Sequence, residues 1–355
     1  MMWNDHDIFD GAGSYPPLLH KSPIMMGLFE IGQQMRLLFQ HHTTPEKART
    51  HRLFGYQGYN FLAQCGPQLA LLGADERSEC DDKTVHNENT WNIIFEKLDN
   101  DLQNVAHLIV LFSVPFSLWR NIPFSEQTNS VFGLPELYDD LLDEWAHEPH
   151  MTERTRALCR FQEIAEKKRT RVTFFSGDVH CCGVSRLQTR GEHMPLPSND
   201  SKLMYQIISS VIINRPPPRI IIRAAHYFGT KWYSVVDTEE RLIDSFERDP
   251  KQAMDSSLNT RVLRKQGFLV IWFWPFIDFL LILFGLDWTF NSNYKKAKST
   301  AIQQSYNESS TISDQNNDFK QEANSLRVKF WLENTEKKKG RQPYANYDLF
   351  IPDLK

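Results

Sequence analysis

The stretch T-R-V-T-F-F-S-G-D-V-H-C-C-G-V-S-R-L, residues 170–187, decides how the rest of the chain reads. Residues 172–175 are β-branched or aromatic, the composition of a buried strand, and Gly177 permits a sharp exit that a side chain would obstruct. Asp178 and His180 then fall at the strand's carboxyl end, where open α/β sheets bind ligands. A carboxylate and an imidazole at this spacing can face one metal ion as a hard oxygen and a borderline nitrogen ligand. An isolated Gly-Asp-x-His, however, more often marks a polar turn with a surface histidine.

Repetition of the pattern shifts that balance. The chain opens M-M-W-N-D-H-D-I-F-D-G, so Asp5, His6, Asp7 and Asp10 crowd the exit of whatever strand holds residues 1–3. Residues 68–74 (Q-L-A-L-L-G-A) run into Asp75, with Arg77 shortly after. These apolar runs are expected to deliver Asp5, Asp75 and Asp178 to one rim of one sheet. Carboxylates brought together repel, so such a rim is stable chiefly when a cation or a basic side chain neutralises it.

Taken in order, W-N-D-H-D-I-F-D-G-x-G-S-Y-P, L-F-Q-H-H-T-T, G-P-Q-L-A-L-L-G-A-D-E-R-S-E, H-L-I-V-L-F-S-V-P and F-S-G-D-V-H resemble the eukaryotic, fungal-type branch of the PhoD-like metallophosphatases. The resemblance covers residues 1–215, with a weaker match near residues 325–333. It implies metal-dependent hydrolysis of phosphoric esters on a partial metallophosphatase-type α/β sandwich, mixed sheet layers flanked by helices. It makes Asp178 and His180 metal ligands, and Asp10 falls close to where bacterial relatives place an asparagine ligand. Asp5 and His6 resemble the family's Asp-His pair, which implies orientation of the ligands and proton transfer to the leaving group. Arg77 matches an arginine that pairs with phosphate oxygens, whereas Cys80 stands where many relatives carry a second arginine. Divalent or trivalent metal ions are implied, iron and calcium by resemblance. Relatives also carry an upstream half with a Gly-Asp-x-x-Tyr motif that this sequence does not show. The competing expectation is therefore a truncated, non-catalytic member that acts in membrane or partner binding.

Bulk properties narrow the classes further. With 355 residues, 41% hydrophobic and 24% charged, the chain is expected to be globular, and a net charge of -4 leaves no basic footprint for a nucleic acid. Five cysteines without paired spacing suit a reducing, intracellular compartment with no disulfide-linked partner. No cationic segment followed by an apolar run opens the chain, so no secretory signal is read there. A serine hydrolase is excluded because no G-x-S-x-G elbow occurs. The expected organisation is a phosphatase domain at 1–215, its extension at 216–266, a hydrophobic insert and disordered polar loop at 267–324, and a strand completing the domain at 325–355.

Periodicity predicts helices over residues 24–42, 89–98 and 152–168, and one marked by Leu137, Leu141 and Trp145. The last has a polar face of Asp139, Asp140, Asp143 and Glu144, read as solvated. In the first, Leu28, Ile31, Met35, Leu38 and Phe39 form one apolar face, and His41 and His42 close it as end residues. Residues 107–112 read as a strand buried on both faces, and residues 205–213 as a strand or a short buried helix. Leu326, Val328, Phe330 and Leu332 alternate as in a half-buried strand. Residues 268–286 form an apolar run long enough to cross a bilayer. Asp278 at its centre and Pro275 oppose a span, as does the strand beyond it that should rejoin the sheet. A surface or buried segment is therefore weighed above a span, with membrane association left open.

Overall fold

The protein is described here by a computed structural model covering residues 2–117, 144–180, 182–191, 195–209, 232–235, 237–243, 262–263, 267–273, 281–283, 310–311, 325–333 and 344–355. The helices are α1 (Pro17–His20), α2 (Pro23–Gln40), α3 (Pro45–Ala48), α4 (Glu88–Asp101) and α5 (Met151–Lys168). Local chemistry sets their starts. Ser22 accepts from Met25 N ahead of Pro23, and Asn87 caps α4 by accepting from Asn89 N.

The first sheet is built from β1 (Phe61–Gln64), β2 (Leu69–Gly73), β3 (His107–Leu111), β4 (Arg171–Ser176), β5 (Cys182–Thr189), β6 (Met204–Ile208), β7 (Trp232–Val235), β8 (Thr238–Leu242) and β9 (Val262–Leu263). Its order is β1-β2-β3-β4-β6-β5-β8-β7, with β9 beside β5. β2, β3 and β4 are parallel neighbours buried at every residue, as strands covered on both faces require. At the edge, Gly73 leaves room for the Phe61 ring, which a Cβ there would meet at 2.1 Å.

One face of this sheet is covered by α4 and α5. Trp91, Phe95 and Phe161 pack there with Phe112, Phe116, Trp145 and Phe174 in a single aromatic core. The other face is covered by a second sheet of β10 (Gly267–Phe273), β11 (Leu281–Leu283), β12 (Ser310–Thr311), β13 (Leu326–Glu333) and β14 (Tyr344–Ile351), ordered β11-β10-β13-β14-β12. Leu326, Val328, Phe330, Leu349 and Ile351 pack on Leu69, Leu71, Ile109 and Phe175. The result is the α/β sandwich of the sequence reading, with mixed strands in the first sheet. Arg171, buried at the start of β4, locks the two sheets together. It donates to the carbonyls of Asp200 and Leu203 from one guanidinium nitrogen and to Pro352 O beyond β14 from Nε.

Several expectations need correction. The apolar run 268–286 is not a helix where it is described: β10 pairs antiparallel with both β11 and β13. No helix among the described residues is long and apolar enough to cross a membrane. Strand and apolar run, which a span would have separated, are hydrogen-bonded neighbours in the second sheet. Residues 2–4 form no strand either, because they lie across strand ends instead of beside a strand. The polar stretch 299–324 contains β12, paired in parallel with β14, and its other residues lie outside the described ones. The helix expected around Leu137 and Leu141, with Asp139, Asp140 and Asp143, lies outside the described residues, although Trp145 joins the aromatic core and Glu144, read as solvated, is buried. Residues 204–208 are strand, resolving that alternative for the described part.

The largest departure concerns α2. Its predicted apolar face is exposed, and the helix instead buries Arg36 and Leu37. The reason is electrostatic: Arg36 reaches a buried carboxylate and holds that side of the helix inward.

Candidate active site

Because β2, β3 and β4 are parallel and in register, Asp75, Ser113 and Asp178 emerge together at their carboxyl ends. The opening segment is stitched across this edge. Trp3 Nε1 donates to Asp75 Oδ1 at 2.7 Å, Ser113 Oγ donates to Trp3 O at 2.6 Å, and Asn4 Nδ2 donates to Asp178 Oδ1. Asn4 also caps the short turn Asp5–Asp7, which sets Asp5 and His6 beside the strand ends.

Asp75 does not serve the rim as a free carboxylate. It accepts from Trp3 Nε1, Arg36 Nη1 (2.6 Å), Tyr59 N (2.7 Å) and Ser78 Oγ (2.8 Å). Burial alone would raise its carboxyl, but Arg36 and these donors outweigh burial and hold it at about 2. Its neighbour Glu76 shows the opposite balance. Burial pushes that carboxyl up to about 8, against donors from Trp145 Nε1, Ser113 N and Val114 N and the nearby Arg77 charge.

Arg77 stands between two of the predicted residues. Its Nη2 lies 3.6 Å from Asp5 Oδ1 and 3.2 Å from Asp178 Oδ1, and its Nη1 donates to Ala12 O at 3.1 Å. The guanidinium expected to hold phosphate oxygens is thus engaged by the protein's own carboxylates, with its side chain only 1% exposed. It supplies the neutralising charge that clustered carboxylates require.

Asp5, His6 and Asp10 form one group whose ligand atoms all lie within 4.8 Å of one another. Asp5 Oδ2 accepts from Gly11 N at 2.9 Å, and His6 Nδ1 lies 3.5 Å from Asp10 Oδ1 on the open side. Asp178 and His180 do not belong to that group; Asp178 sits across Arg77 from Asp5. The donor set of two carboxylates and an imidazole fits a divalent cation of hard or borderline character. The sequence reading puts Asp178 and His180 with Asp10 as ligands; the group that gathers here is Asp5, His6 and Asp10, which shares only Asp10 with that set.

The Gly-Asp-x-His turn also differs in its backbone. Gly177 needs no special conformation, since a Cβ there would meet nothing nearer than 3.9 Å. The left-handed residues are Asp178, at φ 70°, and His180, at φ 54°. Side chains pay a steric cost in that region, which clusters at functional sites. Burial and the Asp5 charge raise the Asp178 carboxyl, while Arg77, Asn4 and His180 pull it down; the net direction is upward.

Sequence reading missed Trp3, Asn4, Arg36 and Glu76. Asn4 sat within the quoted W-N-D-H motif, so its polar side chain was a visible signal; Arg36 gave none, lying mid-helix among apolar residues. His41 is an end residue as expected, its ring set edge-on to Phe61 at 5.7 Å and its pKa lowered to about 4 by burial and Arg36.

Comparison with known proteins gives the chain a family. An uncharacterized protein of Saccharomyces cerevisiae is 26% identical over 275 residues, covering 61% of this chain and 39% of its own length. A solved structure titled "Structure of PhoD" matches 59% of this chain and 39% of that chain at 12% identity and a TM-score of 0.36. The chain thus spans about two fifths of the length of each of these relatives. The family described as "PhoD related phosphatase" matches residues 1–127 and 123–273, most of the chain, and the chain belongs to that family.

Proposed function

We propose that the chain carries a metal-dependent phosphoric ester hydrolase site, in which Asp5, His6 and Asp10 hold the cation and Asp178 and His180 form the opposite wall. The observation that supports this most is the Asp5–His6–Asp10 group, set beside the Arg77–Asp178 pair at the ends of parallel strands. A bound cation in such a site supplies Lewis acidity toward a phosphoryl oxygen and lowers the pKa of a bound water. The protein's own residues do the remaining work. Arg77 keeps Asp5 and Asp178 from repelling each other and fixes both carboxylates. Asn4 orients Asp178 while capping the turn that presents His6. Asp178, whose carboxyl is raised by burial and Asp5, is placed to hold a proton for the departing oxygen.

The test is metal content by elemental analysis together with hydrolysis of p-nitrophenyl phosphate and its bis ester. Asp10→Asn and His6→Ala should each lose bound metal and hydrolysis while keeping the wild-type circular dichroism spectrum. Full metal stoichiometry in the double variant would sink the assignment. A second reading, a family member that binds without turnover, draws on the engagement of Arg77 by Asp5 and Asp178. Stoichiometric metal with no hydrolysis of either ester would favour it.

A further inference from the structure

A cleft of about 250 Å³ opens between the edge strand β1, the last turn of α4 and the loop that follows α3. Ala70 lies near the start of β2 and Val105 just before β3, so the cleft sits at the amino ends of strands whose carboxyl ends lead to Asp75 and Ser113. Its floor is apolar: Phe54 and Leu62 pack on the core cluster that includes Ala70, Leu102 and Val105. Its rim is polar and carries Arg52, Gln64, Lys97 and Asp101. The volume falls just under the ~300 Å³ at which pockets for drug-sized ligands begin, which limits an occupant to about the size of one ring.

The charges on this rim do not cancel. Lys97 Nζ is held by Asp101 Oδ2 at 2.8 Å, one turn along α4. Arg52 is exposed, and its guanidinium has no hydrogen bond or ion pair among the described residues. One uncompensated positive charge therefore stands above an apolar floor. The carbonyl end of α4, which would repel an anion, is answered by Lys168, whose Nζ donates to Asp99 O. The backbone singles out Arg52 as well. Its φ of 68° is left-handed, so an arginine occupies a position that sterics alone would give to glycine or asparagine.

The geometry points to this cleft as a binding site for a small organic monoanion, a carboxylate carried on an apolar body of ring size. The unpaired guanidinium of Arg52 can hold both carboxylate oxygens in a bidentate fork. The apolar body covers the floor at Phe54, Leu62 and Leu102. Inorganic phosphate is a poorer match, because it brings no apolar surface to the floor and its second charge meets Asp101. An uncharged ring forgoes the arginine. The inference is independent of the hydrolase reading, since the cleft shares no residue with that site.

Benzoate is the probe. Calorimetric titration at low ionic strength, where screening is weakest, should give one saturable site per chain. Benzyl alcohol, the same ring without the charge, should bind roughly tenfold more weakly, and inorganic phosphate at equal concentration should not displace benzoate. Arg52→Gln should bring benzoate down to the level of benzyl alcohol. Gln64→Trp, which fills the mouth, should weaken both. Arg52 and Gln64 are exposed, so neither change threatens folding. Asp10→Asn should leave benzoate affinity at the wild-type value, which separates this cleft from carboxylate capture at the candidate cation site. The proposal is overturned by any of four results: no saturable benzoate binding, an affinity unmoved by Arg52→Gln, displacement by phosphate, or loss of benzoate binding in Asp10→Asn.

Discussion

Replacing Arg36 with Met removes the cationic partner that Asp75 has among the described residues while keeping the side chain's length and apolar stem. In the native protein the two side chains are 1% and 0% exposed and meet at 2.6 Å. Removing one member of a buried pair typically costs about 3–5 kcal/mol, because the other charge is left uncompensated. The three remaining donors on Asp75 soften that loss, which places the expected cost at about 3 kcal/mol. The pH dependence supplies a second measure. The carboxyl falls from 3.8 unfolded to about 2 folded, so it contributes on the order of 2.5 kcal/mol above pH 4. That contribution is lost as pH falls from about 4 through about 2. Without Arg36 burial is opposed only by neutral donors, the carboxyl protonates at higher pH, and the deficit relative to wild type should narrow below pH 4. Urea denaturation at pH 7 and at acid pH reads both effects through the midpoint, provided the slope is unchanged. Adding Asp75→Asn should recover part of the loss, since no lone buried charge then remains. A deficit below about 1 kcal/mol at pH 7, or one that does not narrow in acid, would refute the reasoning.

Other expectations follow from the same geometry. His180→Gly relieves a left-handed side chain and should raise stability by about 1 kcal/mol in thermal melts, with metal content unchanged. Arg77→Met leaves Asp5 and Asp178 without their guanidinium, so calorimetric titration with a divalent cation should show tighter binding than wild type; weaker binding would contradict its neutralising role. Glu76 has a raised folded pKa, about 8 against 4.5, so its contribution is fully present below pH 4.5 and is lost as pH rises to about 8. Glu76→Gln should flatten that limb of the stability profile by up to about 1.4 kcal/mol per pH unit, measured by urea midpoints from pH 5 to 9.

How far each element could be read before any coordinates depends on the range of the forces that place it. β2, β3 and β4 were legible because a strand buried on both faces must be a short, continuous apolar run, whatever surrounds it. The rim was legible because Asp75 and Asp178 directly follow such runs, and α4 and α5 because their apolar residues recur with the helical period. Periodicity shows that a helix face is apolar but does not say what covers it, which is why α2 turned its stripe outward. Its orientation is decided by a buried charge pair between residues 36 and 75, a contact with no local signature. The same holds at the site, where Arg77 separates Asp178 from the Asp5–His6–Asp10 group across long sequence distances. The run 268–286 makes the point most sharply. Its length and hydropathy suit a membrane or a protein interior equally, and the choice falls to backbone hydrogen bonds between β10, β11 and β13, which only the folded chain brings together.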